Sequence, residues 1–135
     1  MLTKYFFTLG LLFLFLGCET DYPVYSDFCS KEKNSSITCL KYDVFMDAKD
    51  KKSIKEKLGL NENKFCNFSL KLTKYYVGKC SNPDVKSRGV GSNGYIRMEI
   101  IEKGRCYFRA QNEFDSDEKG AFFRVLERIK KSIIK

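Results

Sequence analysis

Six cysteines and a complete lack of histidine define most of the side-chain chemistry open to this 135-residue chain. Without histidine there is no Ser–His or Cys–His nucleophile pair and no His-ligated metal. The five cysteines after Cys18 are 10, 27, 14 and 26 positions apart, which is not the spacing of a zinc site. Residues 89–94 spell G-x-G-x-x-G, but a loop precedes them and a strand follows, which excludes a dinucleotide site. We therefore expect no metal, no cofactor and no catalytic activity.

Residues 95–109 alternate apolar and polar side chains around Gly104, which predicts a β-hairpin. A two-residue turn at Lys103-Gly104 would mix apolar and polar side chains on both faces. A three-residue loop, 102–104, makes one face wholly apolar and places Gly104 at the left-handed position that such a loop favours. We predict this second register. Its pairs are Ile100 with Cys106, Met98 with Phe108, and Ile96 with Ala110.

The polar face of this hairpin is the first candidate binding site. In the predicted register Arg97 lies opposite Arg109, and Glu99 lies opposite Tyr107. Like charges that face each other across a ladder repel. An anion held between the two guanidinium groups would relieve that repulsion, with Tyr107 and Lys71 as further contacts. The alternative is an ordinary solvent surface on which Glu99 reaches diagonally to Arg109.

The last helix carries the second candidate site. Asp115 and Glu118 have the spacing of a capping box at its start. An apolar stripe runs along one side of the helix and predicts its buried face. The opposite side carries a basic stripe, which is either an ordinary solvated helix face or a surface suited to an anionic lipid or glycan. Its members are Arg124, Arg128, Lys131 and Lys135.

These elements imply one domain spanning 37–135, preceded by a tether and N-terminal loop at 18–36. Alternation predicts strands near 37–46 and 66–73. Asp47 can cap a helix that runs to about Leu58, and Gly59 stands where a terminating glycine belongs. The order β-α-β-β-β-α predicts a two-layer α+β fold. It would have about four mainly antiparallel strands, with two helices on one face.

The first eighteen residues contain an export signal. Lys4 precedes an apolar run, 6–16, that is too short to span a hydrocarbon core of ~30 Å. The run ends in Leu-Phe-Leu-Gly-Cys at 14–18, which resembles the lipobox of bacterial lipoproteins. That resemblance implies a signal peptide at 1–17 and a lipid on Cys18 that anchors the chain in a membrane. Glu19, where an aspartate usually signals inner-membrane retention, favours the outer membrane, with the domain facing the periplasm.

Export has two further consequences. An oxidising compartment favours up to two disulfides and one spare thiol, and their pairing stays open. The five cysteines concerned are Cys29, Cys39, Cys66, Cys80 and Cys106. Asn34 lies in Glu-Lys-Asn-Ser-Ser at 32–36, which resembles the acceptor of bacterial N-glycosylation, and it is a candidate modification site.

The net charge of +8 predicts an anionic partner. Nucleic acid is not expected in the cell envelope. The first hypothesis is a non-catalytic envelope lipoprotein that binds an anionic glycan or lipid, or an envelope protein. The second is an inhibitor or immunity lipoprotein that neutralises a periplasmic hydrolase or toxin. A glycan or lipid binder should show a positive concave face, an inhibitor should show protruding aromatic loops, and a small hydrolase would need two converging carboxylates.

Overall fold

In a computed structural model, residues 22–29, 31, 36–77 and 92–134 are described. They form an α+β domain with two helices and a six-stranded mixed sheet. The strands are β1 (Val24–Phe28), β2 (Cys39–Tyr42), β3 (Asn61–Glu62), β4 (Phe68–Tyr76), β5 (Gly94–Glu102) and β6 (Arg105–Phe114), and the helices are α1 (Ala48–Leu58) and α2 (Glu118–Ile133). The predicted α+β class is confirmed, but a prediction of about four mainly antiparallel strands understates the sheet.

The sheet has the order β1-β6-β5-β4-β2-β3. β2 pairs in parallel with both β4 and β3, and the remaining neighbours are antiparallel. The β2–β4 pair is parallel because α1, between the two strands, carries the chain back along the sheet before β4 begins. Residues 24–28, which the sequence places in the tether, form the edge strand β1. Three of its five residues are exposed, so its alternation is too weak to show in the sequence.

The β5–β6 hairpin corrects the predicted register. Lys103 and Gly104 both have positive φ, 47° and 81°, and form a two-residue turn of the kind that suits a twisted hairpin. A bulge at Tyr107 then shifts the pairing by one residue, because Ile101 faces Cys106 while Ile100 faces Phe108. The bulge was not predicted, and all three predicted pairs are therefore wrong.

The predicted apolar face of β5 is nevertheless confirmed. Ile96, Met98 and Ile100 are fully buried. The bulge restores their alternation with the buried side chains of β6, so that Phe108 and Ala110 face the core alongside them. Periodicity thus identified the face of the strand correctly but could not identify its partners.

An aspartate side chain caps the N-terminus of each helix by accepting a hydrogen bond from a backbone amide of the first turn. Asp47 caps α1 by accepting a hydrogen bond of 2.8 Å from the amide of Lys49, and Gly59 ends it with φ of 68°, as predicted. The cap of α2 is Asp117 rather than Asp115, since Asp117 Oδ1 accepts a 2.8 Å bond from the amide of Gly120. Asp115 instead accepts a hydrogen bond from the hydroxyl of Tyr22.

The two helices cover one face of the sheet. Lys74, on the core side of β4, forms ion pairs with Asp50 of α1 at 2.9 Å and Glu118 of α2 at 3.5 Å. Lys57 of α1 pairs with Glu127 of α2 at 2.8 Å. The predicted stripe of α2 is buried in the same core, through Phe122, Val125, Leu126, Ile129 and Ile133. The other face of the sheet has no helix over it within the described residues.

Two disulfides join distant parts of the chain, which confirms the predicted number. Cys29 is bonded to Cys106 with 5.5 Å between the Cα atoms, and Cys39 to Cys66 with 6.0 Å. The first fastens the end of β1 beside the hairpin turn, and the second fastens the start of β2 beside the approach to β4. No helix in the described ranges is long and apolar enough to cross a membrane. Several predictions fall outside those ranges: the signal segment 1–17, Cys18, Asn34, Cys80 and Lys135.

Candidate functional site

A groove of about 600 Å³ lies on the sheet face away from the helices. Strand β5 contributes Arg97, and β6 contributes Arg109, Gln111 and Glu113 from alternate positions. Edge strand β1 completes the groove with two exposed side chains, Tyr25 and Asp27. The groove exists because side chains alternate between the two faces of each strand, which brings Arg97 of β5 and Arg109, Gln111 and Glu113 of β6 to the same side.

Arg97 is held in a fixed orientation by two neighbours. Its Nε donates a hydrogen bond of 2.8 Å to Oε1 of Gln111, the residue opposite it on β6. Its guanidinium carbon lies 5.1 Å from the centre of the Tyr95 ring, which stacks in turn on Tyr75. A cation over an aromatic face is stabilised by the ring quadrupole. Both partners are neutral, so Arg97 presents its full charge to the groove.

Arg109 provides the second cation of the groove. It is exposed, and it lies opposite Asp27 on β1 and opposite Glu99 on β5. The groove therefore contains guanidinium donors beside carboxylate acceptors. Guanidinium groups form paired hydrogen bonds to phosphate and carboxylate groups, whereas carboxylates and amides hydrogen-bond to hydroxyl groups. With Tyr25 60% exposed at one wall, a ring could also stack here.

The structure separates the four residues predicted for this site. Arg97 and Arg109 share the groove, but they lie two positions apart along the β5–β6 ladder rather than directly opposite each other. Lys71 is on β4, where it lies opposite Glu99 of β5, and it is not part of the groove wall. The placement of Tyr107 on the polar face is wrong, because the bulge turns it inward. It is 3% exposed and packs edge-on against Phe28 and Phe68.

The predicted basic stripe of α2 has fewer solvent-facing cations than the sequence indicated. Arg124 is turned toward the sheet, where its Nε donates a 2.7 Å hydrogen bond to Oδ1 of the buried Asn112. A terminal nitrogen of Arg124 also pairs with Asp117 at 3.1 Å. Arg124 is therefore a structural residue. Of the predicted basic stripe, Arg128 and Lys131 are exposed to solvent.

Sequence reasoning missed the other residues that line the groove, among them Tyr25, Asp27, Gln111 and Glu113. The alternation of Arg109, Gln111 and Glu113 would have placed all three on one face had β6 been extended past Arg109. The two residues of β1 carried no such signal, because that strand was assigned to the tether.

No known protein family, no curated protein and no solved structure matches this chain.

Proposed function

We propose that this chain is a non-catalytic lipoprotein of the bacterial cell envelope, anchored by a lipid on Cys18 and facing the periplasm from the outer membrane. Its uncovered sheet face would bind a sugar that carries a phosphate or carboxylate group. The observation that carries the proposal is the groove in which Arg97, oriented by Gln111 and Tyr95, shares a wall with Arg109.

The composition of the groove favours a glycan over a simple ion. Two guanidinium groups can form charge-assisted hydrogen bonds to an anionic substituent. Asp27, Glu113 and the amide of Gln111 supply acceptors and donors for hydroxyl groups, and Tyr25 supplies a stacking surface. A bare anion would be repelled by the two carboxylates, whereas the hydroxyl groups of a sugar can donate hydrogen bonds to them.

Two sources in the envelope carry this chemistry, and a titration can separate them. The full chain, purified in detergent, would be titrated by calorimetry with a muropeptide, which carries carboxylates, and with a phosphorylated glucosamine disaccharide, which represents a lipid headgroup. Saturable binding of the first would assign a cell-wall glycan, and saturable binding of the second would assign a lipid headgroup. Absence of binding by both would overturn the proposal.

Matched variants would locate the binding. Arg97→Ser with Arg109→Ser removes two charges from the groove, whereas Arg128→Ser with Lys131→Ser removes two from the exposed side of α2. We expect the first pair to abolish binding and the second to leave it within about twofold, since distant surface charges are screened. Equal losses in both variants would show attraction to net charge rather than a site.

A further inference from the structure

A second groove, of about 480 Å³, lies at the end of β2, where the chain turns into α1. β2, α1 and β3 follow one another in the chain and the two strands pair in parallel, so they form a β-α-β unit. Ligands of such units bind outside the carboxyl ends of the strands. The groove shares no lining residue with the groove around Arg97. We call it the Tyr42 groove, and its lining includes Tyr42, Val44, Met46, Lys51, Glu62 and Lys64.

The side chain of Tyr42 brings an unsatisfied polar group to this groove. Tyr42 is 6% exposed, and no described residue forms a hydrogen bond with its buried hydroxyl. Burial, together with the negative charge of Glu62, raises the pKa of Tyr42 to about 12, so the hydroxyl keeps its proton at neutral pH and stays a donor. A buried donor without an acceptor is unfavourable. A ligand that accepts this hydrogen bond would remove the penalty.

The charges around the Tyr42 groove favour an anion. Lys41 and Lys64 line it, are exposed, and form no ion pair with a described residue. The two acidic lining residues are already engaged. Glu62 pairs with two lysines of α1, and Oδ1 of Asp43 accepts a 3.0 Å hydrogen bond from a backbone amide of its own turn. An incoming anion therefore meets ammonium groups whose charge is not neutralised by a neighbour.

The same groove has an apolar wall. Met46 and Val44 line it, and Met46 is half-buried against the core. The turn that carries both residues is closed by a 3.2 Å hydrogen bond from the amide of Met46 to the carbonyl of Asp43. The wall is therefore formed before any ligand arrives. Apolar walls with a few convergent polar groups are typical of sites for small molecules.

We propose that the Tyr42 groove binds a small carboxylic acid with a short hydrocarbon chain. The carboxylate accepts hydrogen bonds from the Tyr42 hydroxyl and the Lys51 ammonium, and the hydrocarbon chain lies against Met46 and Val44. Inorganic phosphate would leave the apolar wall uncovered, and a neutral alcohol would bring no charge to the lysines. The proposal depends neither on a lipid at Cys18 nor on sugar binding in the groove around Arg97.

Lys51 moves when this ligand binds. Its ammonium lies 5.6 Å from the centre of the Tyr42 ring, on the same side chain whose hydroxyl needs an acceptor. A lysine stem is flexible and keeps three donors at its end, so the ammonium can follow the carboxylate while the ring stays in place. Lys55, 2.9 Å from Glu62, continues to neutralise that carboxylate.

The methionine methyl groups allow a direct test with hexanoate as the probe. Met46 lines the groove, whereas Met98 is fully buried in the core. The full chain in detergent, labelled with ¹³C at its methionine methyls, would be titrated with hexanoate and followed by nuclear magnetic resonance. We expect a saturable shift of the Met46 signal and none of Met98. Acetate, which lacks the chain, and hexan-1-ol, which lacks the charge, should each bind at least about tenfold more weakly.

Tyr42→Phe isolates the role of the hydroxyl, because it keeps the ring in place. We expect this variant to bind hexanoate about 10- to 100-fold more weakly, since hydrogen bonds to charged groups are strong. Its urea midpoint should be unchanged or higher, because no hydrogen bond of the fold is lost. Tyr107→Phe is the matched control. It removes the hydroxyl of another buried tyrosine and should leave the affinity for hexanoate unchanged.

An unchanged affinity of Tyr42→Phe for hexanoate would overturn the proposal. So would equal affinities for hexanoate and hexan-1-ol, or a Met46 signal that does not shift. A lower urea midpoint of Tyr42→Phe would also contradict it, because the hydroxyl would then be bonded within the fold. Arg97→Ser with Arg109→Ser should leave hexanoate binding intact, and its loss there would assign the acid to the other groove.

Discussion

The guanidinium Nε of Arg97 donates a 2.8 Å hydrogen bond to Oε1 of Gln111, directly across the β5–β6 pair. The bond replaces the arginine-to-arginine pairing that the sequence predicted, and the replacement matters for function. An arginine held by a neutral amide keeps both its orientation and its charge, whereas two facing arginines would repel each other until a ligand arrived.

Gln111→Leu tests the importance of this orientation without changing any charge. The variant should bind the anionic sugar about 3- to 10-fold more weakly, because one net hydrogen bond contributes about 1 kcal/mol. Calorimetric titration of the variant measures the loss. An affinity equal to that of the unmodified chain would show that Gln111 does not position Arg97 for binding.

Asn112 should be the most sensitive polar residue of the fold. It is fully buried, its Nδ2 donates to the carbonyls of Tyr22 and Pro23 at 2.7 and 3.1 Å, and its Oδ1 accepts from Arg124. Asn112→Ala leaves these partners unsatisfied and should lower the free energy of unfolding by about 2–3 kcal/mol. Urea denaturation of the variant and the unmodified chain measures this difference in the free energy of unfolding. The exposed Asn93→Ala, which loses one bond to the Asp115 carbonyl, is the control and should cost less than about 1 kcal/mol.

Gly94 stands where the sheet has no room for a side chain. A Cβ there would collide with the carbonyl oxygen of Tyr75 and lie 2.9 Å from the Phe114 ring. Gly94→Ala should therefore cost more than Gly59→Ala, which has open space and carries only the penalty of its positive φ, about 1 kcal/mol. Thermal unfolding of the two variants compares them. A smaller loss for Gly94→Ala would refute the close approach.

Glu62 makes the stability depend on pH. Hydrogen bonds from Lys51 and Lys55 of α1 hold the pKa of its carboxyl below the ordinary value of 4.5. The unfolded chain therefore takes up a proton first as the pH falls, so stability is full above pH 4.5 and is lost as the pH falls through the folded value. Urea midpoints from pH 7 to pH 3 measure this loss.

Glu62→Gln should remove that part of the pH dependence and should be less stable than the unmodified chain at pH 7. The two proteins should then converge in stability at low pH. Glu56→Gln is the matched control, since Glu56 makes only a 3.9 Å exposed pair with Lys52. A constant difference between Glu62→Gln and the unmodified chain across the pH range would contradict the assignment.

The helices and the central strands were predictable because their signals are local. Asp47 and Gly59 mark the two ends of α1, and strict alternation marks Phe68, Leu70 and the core face of β5. The Tyr107 bulge was not predictable in this way. It places two consecutive buried aromatics in β6, and alternation alone cannot distinguish one extra residue from a different loop length.

The groove was only half predictable for the same reason. Arg97 and Arg109 stood out by charge, but the register that joins them depends on the bulge. Tyr25 and Asp27 reach the groove through an edge strand with a mostly exposed pattern. Such a strand is stabilised by its neighbour β6 and by the Cys29–Cys106 disulfide rather than by its own sequence.

The most direct measurement follows the arginine side chains themselves. Nuclear magnetic resonance would record the Nε–Hε signals of the full chain while a muropeptide or a phosphorylated glucosamine disaccharide is added. We predict saturable shifts of Arg97 and Arg109 with one common dissociation constant, and no shift of Arg105 or Arg128. Equal shifts of all four arginines, or none, would contradict an anion-binding site on the open face of the sheet.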